Sequence, residues 1–514
     1  MERGEVELAF DRIKLFRRRQ FVMGHEYVNY EGWKRLKFDD RFYLTVHPDL
    51  PTTSVEEKEN KVLLLGYIID PAFPMLNDEA ILRRLVNSPL SLSDVVTGLE
   101  HLMGRFVLIV KSNESLWLFH DACGLRQVHY CRDKQDALWC ASQPESLAEH
   151  LGFDYDPDAL SFRNMPAYRL TLEDFTLIGD RTPYKEIKYL LPNHYLDLFR
   201  GTVHRYWPVA GCIGSLAIEE SIRLYCPILE NSIKAAAQRF NLKMGISAGC
   251  DSRKSLAAAK AVKDKIYFFT QTPMEAHKVD MEIPSRLLPK LGIKHHKLEL
   301  QQMTQEFRDY YERSATWARE RHGHIAYSAL NYFGAEATVL NSNISEYSQV
   351  CFWLPKSKIN GEGLAILKGL NHPIAISDFQ KWLSSASAVC EAANMNILVL
   401  FDLEVRSRWV ANTFSECDIA YETFNPYNNR RLFCIELSVN ERSRRGRRLD
   451  VPIKLIKSMW PEVLTEPINP EEHLSGKIKQ FIWRSIVHRT ITPWISIVEY
   501  LRYVKLRSRF KKQP

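Results

Sequence analysis

Residues 242–262 read LKMGISAGCDSRKSLAAAKAV, and the order of their properties decides the fold. LKMGIS is a short apolar run of the kind that forms a buried strand, and SRKSLAAAKAV has the composition of a helix. The small residues between them permit a tight turn. A strand that passes through such a turn into a helix is the repeating unit of a parallel, doubly wound sheet.

The same alternation continues on both sides of this stretch. A helical spacing of apolar residues over 219–240 precedes it. The strand patterns KIYFFTQT (265–272) and HHKLEL (295–300) follow, separated by the helical pattern of 280–292. Helical patterns then dominate to the end of the chain, with ATVLNS (337–342) as one further strand. The sequence therefore predicts an α/β domain, a doubly wound parallel sheet with a helical C-terminal part.

The first part of the chain has a different pattern. KVLLLGYIIDPA (61–72) predicts a buried strand, and NDEAILRRLV (77–86) predicts a helix with Asn77 as its N-cap. Further strand patterns follow at hairpin spacing: GRFVLIVK (104–111), SLWLFHD (115–121), RQVHYCRD (126–133) and ALWCASQ (137–143). We therefore expect a separate β-rich domain over about residues 40–150, joined to the parallel sheet by 151–215.

The composition limits the class of protein. With 514 residues, 45% of them hydrophobic and 25% charged, the chain is long enough for two or three packed domains, which excludes disordered, collagen-like and disulfide-scaffold proteins. The net charge of +7 is uneven, because residues 474–514 hold ten Lys or Arg and one acid. Since the rest of the chain is nearly neutral, we expect no specific nucleic-acid partner. A second basic cluster lies at Arg442–Arg448.

The basic segment 474–514 has two interpretations. Its apolar residues recur at three- and four-residue spacing with Lys and Arg around them, so it can lie on an anionic membrane surface. It can equally dock on its own protein as a helix with a solvated basic face. The ten cysteines form no CxxC pair, and neither a signal peptide nor a membrane span is visible. We predict a cytoplasmic protein, with peripheral contact at the inner membrane face as the alternative.

The turn between the strand and the helix holds residues suited to bind an anion. At the carboxyl ends of parallel strands, backbone N–H groups can curl around a phosphate, hydroxyls can add hydrogen bonds, and the helix presents its positive end. Phosphate would repel Asp251 unless a cation lay between them, so Asp251 is a predicted Mg²⁺ ligand. The alternative is a tight turn made for packing alone. The predicted ATP and pyrophosphate loop comprises Ser247, Ala248, Gly249, Cys250, Asp251 and Ser252.

These residues and several other segments resemble enzymes of the asparagine synthetase family. SAGCDS (247–252) resembles the SGGxDS pyrophosphate loop of those ATP pyrophosphatases, FNPYNNRRL (424–432) their PFLD-(K/R)-x-(L/F) segment, and MWPEVL (459–464) their LPEEL segment. GRFVLIV, LFHDACGLRQVHY and ALWCASQPESLAEHLG resemble the glutaminase-type domain that precedes the synthetase domain in those enzymes. The segments stand in the family's order along most of the chain.

The resemblance implies a domain order and a reaction. Residues 1–205 would form a glutamine amidotransferase-like α+β domain, a β-sandwich with helices, and 215–473 a PP-loop synthetase domain, followed by the basic tail 474–514. A small-molecule or peptide carboxylate would attack the α-phosphate of ATP with Mg²⁺ present, and pyrophosphate would leave. An amine or ammonia would then displace AMP from the acyl-adenylate. Mg²⁺ and cationic side chains would stabilise the charge that develops on pyrophosphate.

This sequence departs from the family's pattern in two places. Glutamine-hydrolysing members use a cysteine directly after the initiator Met, whereas residue 2 here is Glu2 and the first cysteine is Cys123. We therefore expect a degenerate glutaminase domain, as in the related β-lactam synthetases and lasso-peptide cyclases. The family's acidic loop S-G-(D/E)-G-x-D-E corresponds to residues 340–346, where Ser342 and Ser345 replace acids and Glu346 alone survives.

The resemblance suggests further catalytic residues, each with an alternative. Asp402 or Glu404 would be the second active-site carboxylate and general base, or both lie on a solvated helix face. Lys454, or an arginine of the nearby cluster, would clamp pyrophosphate. Asp280 would lie near the nucleotide or be a plain N-cap. Cys250 would have a thiol pKa lowered by the helix N-terminus, or it only fills space.

Three classes of function remain open from the sequence. The first is the ATP-dependent, AMP-forming amide ligase of the asparagine synthetase type. The second is a catalytically silent nucleotide-binding or scaffold protein, suggested by the lost acids. The third is a PP-loop enzyme that modifies tRNA, which would be expected to carry RNA-binding modules or paired cysteines that this sequence lacks.

Overall fold

A computed structural model describes the chain at residues 15–86, 90–113, 115–165, 176–272, 278–347, 354–444, 449–470 and 504–508. No helix within these ranges is both long and apolar enough to cross a membrane. The predicted basic tail lies outside the described residues except for 504–508, and residues 445–448 of the second basic cluster also lie outside them.

The N-terminal domain is built from two antiparallel sheets. Its strands are β1 Phe21–Gly24, β2 Lys34–Lys37, β3 Tyr43–Val46, β4 Thr52–Glu57, β5 Asn60–Ile69, β6 Met103–Ser112, β7 Ser115–His120, β8 His129–Arg132, β9 Leu138–Ala141, β10 Lys188–Tyr189, β11 His194–Asp197 and β12 Thr202–Arg205. One sheet has the order β10-β8-β9-β1-β3-β2 and the other the order β12-β11-β7-β6-β5-β4. Its helices are α1 Asp78–Val86, α2 Leu92–His101, α3 Pro144–Leu151 and α4 Pro157–Asn164.

Alternating burial along the long strands explains this arrangement. Leu63 and Leu65 of β5 pack with Phe21 and Leu44 of the other sheet, so they fill the layer between the two sheets. Leu64, the residue between them, packs instead in the cluster with helices α1 and α2. Because successive side chains of a strand point to opposite faces, one strand serves both layers. The predicted α+β sandwich is confirmed, and so is the N-cap at Asn77, whose Oδ1 accepts from the Ala80 N–H at 2.9 Å.

The C-terminal domain is a five-stranded parallel sheet covered by helices, which confirms the predicted α/β architecture. Its strands are β13 Asn241–Gly245, β14 Tyr267–Thr272, β15 His295–Glu299, β16 Ala337–Leu340 and β17 Glu422–Phe424, in the order β15-β14-β13-β16-β17. Its helices are α5 Ile218–Arg239, α6 Cys250–Ala258, α7 Val279–Lys290, α8 Gln305–Ser314, α9 Glu320–Phe333, α10 Gly361–Lys368, α11 Pro373–Ala392, α12 Ile397–Phe401, α13 Ser407–Cys417, α14 Arg430–Leu437, α15 Glu441–Arg444 and α16 Asp450–Met459.

Two connections complete this domain. A π-helical turn, Asp402–Arg406, joins α12 to α13, and a short 3₁₀ helix, Pro461–Thr465, follows α16. The edge strand β17 is absent from the sequence prediction, because three residues are too few to show a strand pattern. Because β13 is the central strand, its carboxyl end carries the turn 246–249 into α6 at the middle of the sheet edge.

Buried ion pairs join the two domains. Nη1 and Nη2 of Arg105 on β6 donate to the two Asp418 carboxylate oxygens, and Nη1 also donates to Glu422 at 2.9 Å. Arg126 donates to the other Glu422 oxygen at 2.6 Å. Burial alone would raise the pKa of the Glu422 carboxyl, but Arg126 and Arg105 lower it to about 2. The N-terminal domain therefore supplies the counter-charges of two carboxylates that belong to the sheet domain.

Candidate active site

The turn at the end of β13 is held by its own hydroxyl groups. The Ser252 Oγ accepts from the Ser247 N–H at 3.2 Å, and the Ser247 Oγ accepts from the Gly249 N–H at 3.1 Å. A Cβ at Gly249 would lie 3.0 Å from the Ser247 Oγ, so only glycine fits without a shift. The six predicted loop residues thus form one compact turn that opens α6.

Asp280 anchors this turn from the next helix. Its Oδ1 accepts from the Ala248 N–H at 2.9 Å. The N-cap position of α7 is Lys278, and Asp280 is the second residue of the helix, so the N-cap interpretation of Asp280 is wrong. The Asp280 carboxylate instead accepts from one of the backbone N–H groups of the predicted anion-binding turn.

A second support reaches the turn from the C-terminal segment after α16. The Asn469 N–H donates to the Ala248 carbonyl at 3.0 Å. Below the turn, the buried Arg253 guanidinium donates to the carbonyls of Val463 at 2.8 Å and Pro467 at 3.2 Å. Burial lowers the pKa of Arg253 to about 10. The MWPEVL segment therefore continues into the residues that hold the loop in place.

Asp251 and Lys254 form the charged centre of the site. The Lys254 Nζ is buried, lies 3.5 Å from the Asp251 Oδ1, and donates to the Ser345 carbonyl at 2.8 Å. Burial by itself would lower the pKa of Lys254, but Asp251 together with Tyr427, Glu436 and Cys250 outweighs burial, and the pKa is raised. The Ser345 hydroxyl donates to the Asp251 carboxylate. A fixed cation and a hydroxyl thus hold the predicted metal ligand in one orientation.

Glu346 lies beside Asp251 and pairs with Arg406. Burial raises the pKa of the Glu346 carboxyl, Arg406 lowers it, the nearby Asp251 charge raises it, and the net direction is upward. The Arg406 Nη1 also lies 3.7 Å from the Asp402 Oδ2. Two adjacent carboxylates, one with a raised pKa, fit the oxygen ligands that Mg²⁺ prefers. Within the described residues, no group of three or more His, Cys, Asp or Glu forms a metal cluster.

The structure does not bring Glu404 or Lys454 to the loop. Glu404 is fully buried and pairs with Arg205, and its Oε2 accepts from the Trp382 indole at 2.8 Å. Lys454 pairs with Glu219 at 2.7 Å on the surface. The expectation of a lowered Cys250 thiol pKa is wrong, because burial raises that pKa to about 12.

A cavity of about 420 Å³ opens from the loop across the carboxyl edge of the sheet. At one end are Gly249, Asp251 and Ser252, with Asn341, Ser342 and Asn343 after β16. Its remaining walls come mainly from β14, α9 and α13, through Phe269, Gln271, His322, Ile325, Ser328, Ala329, Tyr332, Phe333, Trp409, Thr413 and Cys417. The cavity is therefore polar at the loop and largely apolar beyond it, as ligand pockets commonly are.

Sequence reasoning missed several residues of the site. Lys254 stands three residues after Asp251, so a lysine at i+3 on the loop helix was a usable signal. Arg406 and His322 carry no such signal, because their partners lie 60 and 94 residues away in the chain.

No protein family and no curated protein matches the chain. Solved structures with some similarity include a glutamine phosphoribosylpyrophosphate amidotransferase from B. subtilis complexed with ADP and GMP (12% identity, TM-score 0.23, 55% of this chain and 68% of that one). Others are an NH₃-dependent NAD synthetase from Campylobacter jejuni (17%, 0.22, 39% and 96%) and an NMN synthetase from Francisella tularensis (13%, 0.19, 40% and 94%).

Proposed function

We propose that this protein is an ATP-dependent, AMP-forming carboxylate–amine ligase. The observation that carries the proposal is the anion-binding turn Ser247–Ser252 at the carboxyl end of the central strand, with Asp251 beside Glu346 at the mouth of one cavity. Ligands of open α/β sheets bind at this edge. A turn with a helix N-terminus binds phosphate, and the cavity has room for a second group next to it.

In this proposal each side chain has a defined task. The N–H groups at the start of α6 bind the departing pyrophosphate, because those of Ser247, Ala248 and Gly249 already donate to Ser252, Asp280 and Ser247. Lys254 holds Asp251 in place. Asp251 and Glu346 would hold Mg²⁺, which supplies positive charge to the phosphates when bound. Arg406 keeps Glu346 close to Asp251 despite the repulsion between the two carboxylates. The carboxylate substrate would lie beyond the loop, in the largely apolar part of the cavity.

The source of nitrogen is a separate part of the proposal. The described cysteines of the N-terminal domain, Cys123, Cys131 and Cys140, are buried, and burial raises the pKa of their thiols. None of them is an activated nucleophile, so the amine would be ammonia or an amino group of a substrate. The N-terminal domain would then act structurally, through the ion pairs that Arg105 and Arg126 make with the sheet domain.

The test is the formation of AMP. Full-length protein is incubated with α-labelled ATP, Mg²⁺, ammonium chloride and a panel of amino acids, short acidic peptides and sugar acids, and AMP and pyrophosphate are measured. We expect both products to form together with at least one carboxylate. Absence of AMP with the whole panel and with cell extract, in a protein that binds ATP, would overturn the ligase proposal.

A matched pair of variants connects that activity to the loop. Asp251→Asn removes the charge at the predicted metal ligand, and we expect AMP formation to fall by about 10²-fold or more. Asp136→Asn makes the same chemical change at a residue whose side chain is 82% exposed, and it should behave as wild type. An equal loss of AMP formation in both variants would show that the loop has no specific role in the reaction.

A catalytically silent nucleotide-binding protein is the second candidate. The specific observation in its favour is that the Ala248 N–H and the Asp251 carboxylate are already engaged, by Asp280 and by Ser345 and Lys254. ATP binding in calorimetry, unaccompanied by AMP formation, would support this candidate. Tight, salt-sensitive tRNA binding that survives removal of 474–514 would instead favour the tRNA-modifying class.

A further inference from the structure

A histidine that lines the cavity faces a buried carboxylate. His322 lies near the start of α9, and its Nδ1 is 3.0 Å from the Oε2 of Glu416 on α13. His322 lines the same cavity as Asp251 and Ser252, so a ligand on the loop can extend to the imidazole. Neither residue belongs to a motif of the sequence.

Glu416 is a fixed anion. Arg319 donates to its two oxygens through the backbone N–H at 2.8 Å, through Nε at 3.0 and 3.1 Å, and through Nη2 at 2.6 Å. Burial would raise the pKa of Glu416, but His322 and Arg319 lower it on balance. The carboxylate therefore stays charged, and its position does not depend on a bound ligand.

This arrangement selects one form of the imidazole. The nearby carboxylate attracts a proton on Nδ1, and in the neutral ring the lone pair then lies on Nε2. Nε2 lies on the other side of the ring from Glu416. In the same wall, the Trp409 indole Nε1 is buried and has no hydrogen-bond acceptor among the described residues, so a polar ligand group can accept from it.

We propose that His322 is the general base that deprotonates the attacking amine, with Glu416 as its positioning residue. The proposal rests on the ligase function and adds the residue of its second half-reaction. Among the described residues that line the cavity, His322 is the one histidine, and histidine is the commonest side chain in this role. The carboxylates at the other end are engaged with cations, Asp251 with Lys254 and Glu346 with Arg406.

The step can be written with its atoms in balance. The nitrogen lone pair of the amine attacks the carbonyl carbon of the acyl-adenylate and forms the C–N bond. Nε2 of His322 takes a proton from that nitrogen. The bond between the carbonyl carbon and the phosphate oxygen then breaks, and AMP leaves with the electron pair. The products are the amide, AMP and an imidazolium that returns its proton to water.

The first test separates the two half-reactions in His322→Gln. With the carboxylate that supports AMP formation in wild type, we expect exchange of labelled pyrophosphate into ATP to stay within about twofold. Amide formation with ammonium should fall by about 10²-fold, within the usual range for loss of a general base. Arg321→Gln, an exposed neighbour on the same helix, is the control and should change neither rate.

The second test varies the nucleophile. Hydroxylamine is uncharged at neutral pH and a strong nucleophile, so it needs less help from a base than ammonium or an alkylamine does. We expect His322→Gln to retain hydroxamate formation while it loses amide formation, and imidazole to restore part of the amide rate in His322→Ala. Equal loss with both nucleophiles, or no loss with either, would overturn the role of His322.

Glu416→Gln tests the positioning role. It should lower the rate of amide formation with ammonium more than it changes the KM for ATP, and Glu416→Asp should recover part of that rate. If wild type forms no AMP at all, the ligase function fails, and the role of His322 fails with it. If wild type and His322→Gln form amide equally well, the role of His322 alone fails.

Discussion

Arg105 of the N-terminal sandwich and Asp418 of the sheet domain form a buried, bidentate ion pair, and their side chains are 1% and 6% exposed. Asp418 directly follows α13, whose last residue, Cys417, lines the cavity. Because the partners belong to different domains, the wall of the cavity is held from outside the sheet domain. The mutual position of the domains is thus part of the site.

Arg105→Met should destabilise the protein strongly. It removes both hydrogen bonds of the buried Asp418 carboxylate and leaves Glu422 with Arg126 alone, and loss of one member of a buried pair costs about 3–5 kcal/mol in free energy of unfolding. Chemical denaturation measures this cost. Arg83→Met is the control, because Arg83 pairs with Glu79 on an exposed helix face and should change little. Similar midpoints for both variants would contradict a structural role of the interdomain pair.

The ion pairs of Glu422 with Arg126 and Arg105 predict that the protein loses stability in acid. The pKa of Glu422 is about 2 in the folded chain and about 4.5 for an ordinary glutamate. A depressed pKa contributes stability that is complete above the ordinary value and is lost as pH falls through the folded value. We therefore expect the melting temperature to fall from pH 4.5 toward pH 2, and to fall less steeply in Glu422→Gln. An equally steep fall of the melting temperature in Glu422→Gln would show that other groups cause the loss of stability in acid.

Ser345→Asp should create a dependence on Mg²⁺. The new carboxylate would replace the hydroxyl that donates to Asp251 and would repel both Asp251 and Glu346. We expect a lower melting temperature in EDTA and a larger rise on addition of Mg²⁺ than wild type shows. Ser345→Ala removes the hydroxyl without the charge and should show no extra response to Mg²⁺. A response of equal size in both variants would place Mg²⁺ elsewhere.

Glu404→Gln should reduce stability without reducing specific activity. Glu404 is the buried partner of Arg205 and Trp382, so its loss leaves a buried cation and costs about 3 kcal/mol or more. AMP formation per folded molecule should be unchanged. Asp402→Asn, next to Arg406, should lower that rate if Asp402 acts at the loop. If Glu404→Gln lowered the rate of AMP formation and Asp402→Asn did not, Glu404 would be the second active-site carboxylate.

Deletion of residues 474–514 tests whether this segment binds membranes without contributing to AMP formation. If the segment lies on a membrane, full-length protein floats with liposomes that contain anionic lipid but not with neutral ones, and the truncated protein floats with neither. AMP formation should be the same in both proteins. Equal flotation of both proteins would show that residues 474–514 are not needed for membrane binding.

The fold was predictable because its signals are local. The strand, turn and helix of 242–262 follow each other directly, and the apolar runs of β5 and β6 are long enough to be visible as strands. The short edge strand β17 shows no such signal. The turn 247–252 was predictable for the same reason as the central strand, since its six residues are contiguous, and its binding of an anion stays a prediction.

The rest of the site depends on distant residues. Glu346 meets Arg406, and His322 meets Glu416, only after α9, α13 and β16 have packed together. The choice between Asp402 and Glu404 was open in the sequence for another reason. Both lie in the π-helical turn 402–406, and a π turn shifts the side chains off the 3.6-residue period from which helix faces are predicted.

The interdomain ion pairs also decide how the chain can be divided. The sequence changes character near residues 205–215, yet a cut there would remove Arg105 and Arg126, the partners of Asp418 and Glu422, which lie next to Cys417 and Tyr421 of the cavity wall. Residues 215–473 expressed alone would therefore be a poor substitute for the intact protein. The sandwich therefore supports the cavity wall through Asp418 and Glu422, although none of its described residues lines the cavity.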